Sequence, residues 1–113
     1  MFDFEKLEVY SKVEHVTHEI FRNILTSHNL DLYVKDQLKR SILSVMLNIA
    51  EGAGRITEAD KRHFYVVARA STFEVVAILR LLLRQEIISA ELYTIIYGEL
   101  EQISKMLLAL IKK

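Results

Sequence analysis

Not one proline occurs in the 113 residues, and glycine appears only at positions 52, 54 and 98. Proline removes a backbone donor and clashes with the preceding helical turn, while an interior glycine costs a helix about 1 kcal/mol against alanine. A chain almost free of both can run in long helices. Apolar residues at three- and four-residue steps, the mark of one helical face, recur in four segments. The first spans about Phe4 to Leu25, with Phe4, Leu7, Tyr10, Val13, Thr17, Ile20 and Ile24 aligned, and Thr26-Ser27-His28-Asn29 reads as the turn after it. Asp31 is the expected N-cap of the second, because its carboxylate can accept first-turn N–H groups. Leu38, Ile42, Val45 and Ile49 form its stripe, widened by Leu43, Met46 and Leu47, and Gly52-Ala53-Gly54 is expected to end it with a left-handed glycine cap. Thr57 opens the third, with Glu58 and Asp60 in its first turn and capping-box spacing from Thr57 to Asp60. It reaches about Arg84. Ser89 caps the fourth, whose stripe runs through Leu92, Ile95, Ile96, Leu100, Ile103, Met106, Leu107, Leu110 and Ile111. Gly98 within it marks either a close helix contact or a tolerated weak position.

Loops of about three to six residues between long helices force antiparallel neighbours, so the expected fold is all-α: one up-down-up-down four-helix bundle over residues 1–113. The third segment carries more than one apolar side. Phe64, Val67, Ser71, Val75, Ile78 and Leu82 face one way, and Val66, Phe73, Val76, Leu79 and Leu83 fall elsewhere. A helix apolar on two sides is buried on two sides. The apolar fraction of 51% is also slightly high for a chain too small to bury most of its surface. Both features imply an extra buried face, hence assembly with copies of itself.

With no cysteine, disulfides, thiolate metal sites and cysteine nucleophiles are excluded. No signal peptide is expected at Met1–Glu5 and no apolar run reaches membrane-spanning length, so no membrane association is expected and the cytoplasm is the expected compartment. Net charge is zero, but unevenly distributed: −3 over residues 1–34, +4 over 35–84 and −1 over 85–113. The middle of the chain could present a basic stripe.

Residues 41–55 read Ser-Ile-Leu-Ser-Val-Met-Leu-Asn-Ile-Ala-Glu-Gly-Ala-Gly-Arg. The stretch Asn48-Ile49-Ala50-Glu51-Gly52, with Ser44 upstream and Arg55 after it, resembles the signature of the bacterial 23S rRNA intervening-sequence proteins. Phe4-Glu5-Lys6-Leu7-Glu8-Val9-Tyr10, Gln37-Leu38-Lys39-Arg40-Ser41, and Phe64, Ala68, Ser71 and Glu74 extend the likeness over nearly the whole chain. Two positions depart from the pattern. Met46 stands where the family usually has proline, which should leave the second helix straighter. Ala70 stands where it often has glycine, adding a methyl at a point of close approach. The resemblance implies a four-helix bundle that forms a homo-oligomer, commonly a pentamer. It also implies a distant likeness to the accessory protein of diversity-generating retroelements, a pentameric barrel that binds nucleic acid and a reverse transcriptase.

Polar residues within this apolar pattern need partners. Asn48 and Glu51 share a helix face and are expected to bond across helices, to Ser71, Glu74, Arg55 or the amides near Gly52. The functional alternative is a small polar pocket for a ligand or phosphate. Lys35, Lys39 and Arg40 start the second helix; Arg55, Lys61, Arg62 and Arg69 cluster near the corner of the second and third. Repeated around an oligomer axis they would form a charged ring able to hold RNA or DNA phosphates with strong salt dependence. The competing reading is ordinary ion pairing with Glu51, Glu58, Asp60 and Glu74, which leaves a protein–protein interaction module whose partner is another protein. His15 and His18 lie three apart, flanked by Glu14 and Glu19, but no second histidine pair or Glu-x-x-His motif supports a bundle metal site, so no metal is expected. Gly52-Ala53-Gly54-Arg55 lacks phosphate-loop spacing, there is no nucleophile elbow, and His63 has no acid–base partner in the sequence. Neither catalysis nor a cofactor is expected.

Overall fold

A computed structural model describes residues 1–113. Four helices, α1 (Glu8–Asn23), α2 (Leu32–Ala53), α3 (Glu58–Arg84) and α4 (Ala90–Ile111), follow a short 3-10 turn, Asp3–Lys6. The bundle measures 44 × 22 × 22 Å. Each helix packs on its neighbours in sequence and α4 closes on α1, so α1 lies diagonal to α3. Contacts show the antiparallel arrangement directly. Arg62 and Arg69 on α3 reach Ile111 and Ser104 on α4, while Ser44 on α2 meets Ser71 on α3.

The core forms largely from the expected periodicity, with two corrections: Ile95 of the α4 stripe is exposed, and on α3 the core face is Ala68, Thr72, Val75, Leu79 and Leu82, while Phe64, Val67, Ser71 and Ile78 of the expected face are half-buried. Val13, Val16 and Ile20 from α1 and Leu38, Ile42, Val45 and Ile49 from α2 are fully enclosed. Val75 and Leu82 from α3 and Ile96, Leu100, Ile103 and Leu107 from α4 complete the same continuous core. Each such side chain contributes about 1.5–3 kcal/mol on leaving water. The buried hydroxyls of Thr17, Ser41 and Thr72 donate to carbonyls of their own helices, so none is left unpaired in the apolar interior.

Three caps form where expected. The Asp31 carboxylate accepts the N–H groups of Tyr33 and Val34, Thr57 Oγ1 that of Asp60, and Ser89 Oγ that of Leu92. At Thr57 the bonding runs one way only, because aspartate is too short to return the capping-box bond.

The structure corrects three expectations. The first helix begins at Glu8 and not near Phe4, because Leu7 is extended; before it, Phe2 N–H donates to Glu5 Oε1 and Phe4 packs on Tyr10. The α1–α2 connection spans residues 24–31, longer than a tight turn, because Ile24, Leu25 and Leu30 insert into the core. Gly54 caps α2 in a right-handed conformation (φ −87°), and no glycine takes a positive φ. The left-handed residue is Glu86 (φ 60°), which lets Ile87 N–H reach the Leu82 carbonyl and close α3 in a Schellman turn. α2 runs unbroken through Met46, as the missing proline implies.

Candidate assembly interface

The signature residues of α2 bind it to α3. Ser44 Oγ and Ser71 Oγ lie 2.8 Å apart, and Asn48 Nδ2 donates to the Ser44 carbonyl (2.8 Å) and hydroxyl (3.1 Å). The bond across helices is therefore made by the serines, while Asn48 turns back onto its own helix and buttresses Ser44. One turn further, Gly52 lets the ring of Tyr65 lie against the α2 backbone. A Cβ on Gly52 would stand 2.9 Å from Tyr65 Cε1 and 3.0 Å from Phe64 Cβ. Burial, and then the charge of Glu58, raises the pKa of the Tyr65 hydroxyl. Glu51 does not cross to α3: it pairs with Arg55, just past the end of α2, whose guanidinium lies 4.6 Å from the centre of the Phe64 ring. Glu74 is exposed and takes no part in this network. Its i, i+3 distance from Ser71 puts it farther out on the cylinder than the contact line with α2.

The basic residues divide into two sets. Around the α2–α3 corner they serve this chain's own backbone. Lys61 Nζ donates to the Ala53 carbonyl at the end of α2 (3.0 Å), and Arg62 Nε to Ile111 at the end of α4 (3.2 Å). Both cations sit where carbonyls lack helical partners and the helix dipole is negative. Arg69 Nε donates to the Ser104 carbonyl (3.3 Å), and its guanidinium covers the Phe73 ring. Lys35, Lys39 and Arg40 lie at the opposite end, about 25 Å away along α2 at 1.5 Å per residue. Lys39 and Arg40 are exposed, and none of the three forms an ion pair. One chain thus carries no continuous basic patch joining all seven residues. His63 packs edge-on against Phe64, and His18 is exposed.

The feature that sequence spacing indicated only in outline is a second apolar stripe on α3. Val66, Ala70, Phe73, Ala77 and Leu81 are all exposed. At 100° per residue they fall on one line, opposite the core-facing Ala68, Thr72, Val75, Leu79 and Leu82. Phe73 is 56% exposed. Steps of four, three, four and four residues are those by which one helix packs along another. Leu47 on α2, 58% exposed, and Tyr97 on α4 flank the stripe on either side. Between α3 and α4 a groove lined by Phe73, Val76, Ala77 and Tyr97 extends the apolar surface. Ala70, where the resembling family often has glycine, lies on this outer line, so its methyl faces outward and not into the bundle.

No helix is long and apolar enough to cross a membrane. The fold is shared with a crystal structure of a protein of unknown function from the S23 ribosomal protein family of Bacteroides thetaiotaomicron. The two are 27% identical with a TM-score of 0.86, over 93% of this chain and 99% of that one. No curated protein matches the chain. The model of the family described as 23S rRNA-intervening sequence protein matches residues 5–109, almost the full length, including the Ser44-Asn48-Gly52 face of α2 and its partner Ser71. This chain belongs to the 23S rRNA-intervening sequence protein family.

Proposed function

We propose that the protein is a non-enzymatic, cytoplasmic scaffold that assembles with copies of itself through the outer face of α3. The observation that carries this reading is the stripe Val66-Ala70-Phe73-Ala77-Leu81, a complete apolar helix face with nothing in the chain to cover it. A small monomer rarely leaves such a line open to water, and contiguous exposed apolar surface marks an interaction site. The small residues Ala70 and Ala77 alternate with large ones, so a facing helix can approach closely. The family resemblance makes a ring of five the expected assembly. The hydrogen-bonded α2–α3 contact supports this role by fixing the register of the helix that carries the stripe. Replacing Phe73 with aspartate leaves the core untouched, so the variant should remain helical and sediment as a monomer. An oligomer unchanged in this variant would remove α3's outer face from the interface.

A second reading adds nucleic acid, and the unpaired state of Lys39 and Arg40 favours it. Repeated around a ring, these side chains would contact phosphates without reading bases. Arg55 and Arg62, already engaged within the chain, are the poorer phosphate ligands. The double variant Lys39→Glu/Arg40→Glu should weaken RNA or DNA binding and flatten its salt dependence while leaving the assembly intact. Absence of binding at low salt would leave a protein–protein interaction module.

A further inference from the structure

The seam between α1 and α4 brings together three side chains from distant parts of the sequence. His15 and Glu19, one turn apart on α1, meet Glu99 of α4. His15 Nε2 lies 3.3 Å from Glu19 Oε1 and 3.6 Å from Glu99 Oε2, and the three ligand atoms all fall within 4.8 Å of one another. These atoms compose a one-histidine, two-carboxylate donor set. Zinc holds nitrogen and oxygen ligands at about 2.0–2.2 Å, so two corners of its tetrahedron stand about 3.3 Å apart. The two histidine–carboxylate separations are close to that edge. Glu19 Oε1 is itself shielded from water, and the nearest group that can balance its charge is His15 Nε2 at 3.3 Å. A shielded carboxylate oxygen needs a donor or a cation beside it, and a metal ion held by the same three side chains would fill that place when His15 is neutral.

We propose that His15, Glu19 and Glu99 form a site for a divalent transition-metal cation of zinc's class, which clamps α1 to α4. The i, i+4 pair on α1 provides two ligands from one rigid turn, and Glu99 closes the set from the neighbouring helix. The histidine side is exposed, and the cleft beyond it is lined by Glu8, Ser11, Lys12 and Gln102, so the remaining coordination position opens to solvent. Desolvation, followed by the hydrogen bond and charge of Glu19, raises the pKa of Glu99, whereas His15 and Lys12 act to lower it. Protons compete with a metal for histidine and carboxylate ligands, so binding tightens as pH rises. Lys12, and His15 when protonated, are the built-in cations that compete for Glu99. The site does not depend on self-assembly, since all three ligands belong to one chain.

The test uses the full chain, purified without a histidine tag and stripped by chelator, then titrated with cobalt(II) as a spectroscopic probe for zinc. The expected result is one cobalt per chain, with the intensified visible absorption of a low-coordinate ion. Loss of even an outer-shell partner typically weakens metal binding about 10- to 100-fold. His15→Ala and the near-isosteric Glu99→Gln should each weaken binding by at least that range, with helical circular dichroism unchanged, while His18→Ala should leave it unaltered. Zinc should also raise the unfolding temperature of the wild-type chain but not that of His15→Ala. A cobalt spectrum identical to the aqueous ion would overturn the proposal, as would equal weakening by His18→Ala and His15→Ala, which would mark loose binding to surface histidines.

Discussion

Two glycines with opposite surroundings show how differently one residue type can act. An added Cβ at Gly52 meets Tyr65 Cε1 at 2.9 Å, whereas at Gly98 it meets nothing within 4 Å. Both are helical, so alanine offers each the same gain of about 1 kcal/mol in helix propensity. At Gly98 that gain stands alone, and Gly98→Ala should raise stability by up to about 1 kcal/mol. At Gly52 the ring of Tyr65 must move from its seat against the α2 backbone. Overpacking of this kind costs about 1–3 kcal/mol, so Gly52→Ala should lower stability despite the better propensity. Chemical denaturation of the two variants checks both signs. The sequence made each position conspicuous without separating their roles, because a close contact with Tyr65, 13 positions away, is visible only after folding. The same holds at the helix ends: Gly54 was the expected left-handed cap, yet Glu86 adopts that conformation because the Ile87–Leu82 bond requires it.

At the scale of whole helices the fold is almost fully legible in the sequence, for a physical reason. Helical periodicity and end caps are local, and Asp31, Thr57 and Ser89 each declare an N-terminus within three residues of themselves. What local pattern could not supply is which side chains meet across helices. Ser44 and Ser71 were legible as motif members, but not as each other's partners. The family resemblance groups Glu74 with them, yet it is exposed and stands apart. Glu99 carries no signal in the sequence, because its significance comes wholly from α1 lying against α4. The α1–α4 seam also makes stability depend on pH. Glu99 holds its proton in the folded chain to a higher pH than in the unfolded chain. Between the ordinary carboxylate range and that raised value the folded state binds more protons, so stability falls as pH rises through this window. Above it the full penalty persists. In the presence of chelator, Glu99→Gln should therefore gain stability over the wild type at neutral pH and match it in acid. Urea midpoints at the two pH values measure this directly, and an equal difference at both would show that Glu99 does not titrate as described.

Taken as a whole, the molecule has two apolar surfaces and covers only one. The core draws on all four helices, whereas the outer line of α3 remains open over five side chains from Val66 to Leu81. The apolar composition and the two-sided third helix anticipated such a face. Its position needed the packing, since only the core assignment of Ala68, Thr72, Val75, Leu79 and Leu82 shows which residues are left outside. The engaged arginines sharpen the same division: Arg62 and Arg69 hold α3 against α4, which stiffens the helix that presents the stripe. The most direct test is light scattering coupled to size exclusion at low and high salt, on the wild-type chain and on Phe73→Asp. A salt-stable oligomer of the 13.2 kDa chain that becomes a folded monomer in the variant is the expected result. A wild-type chain that elutes as a monomer at micromolar concentration would contradict self-assembly through α3.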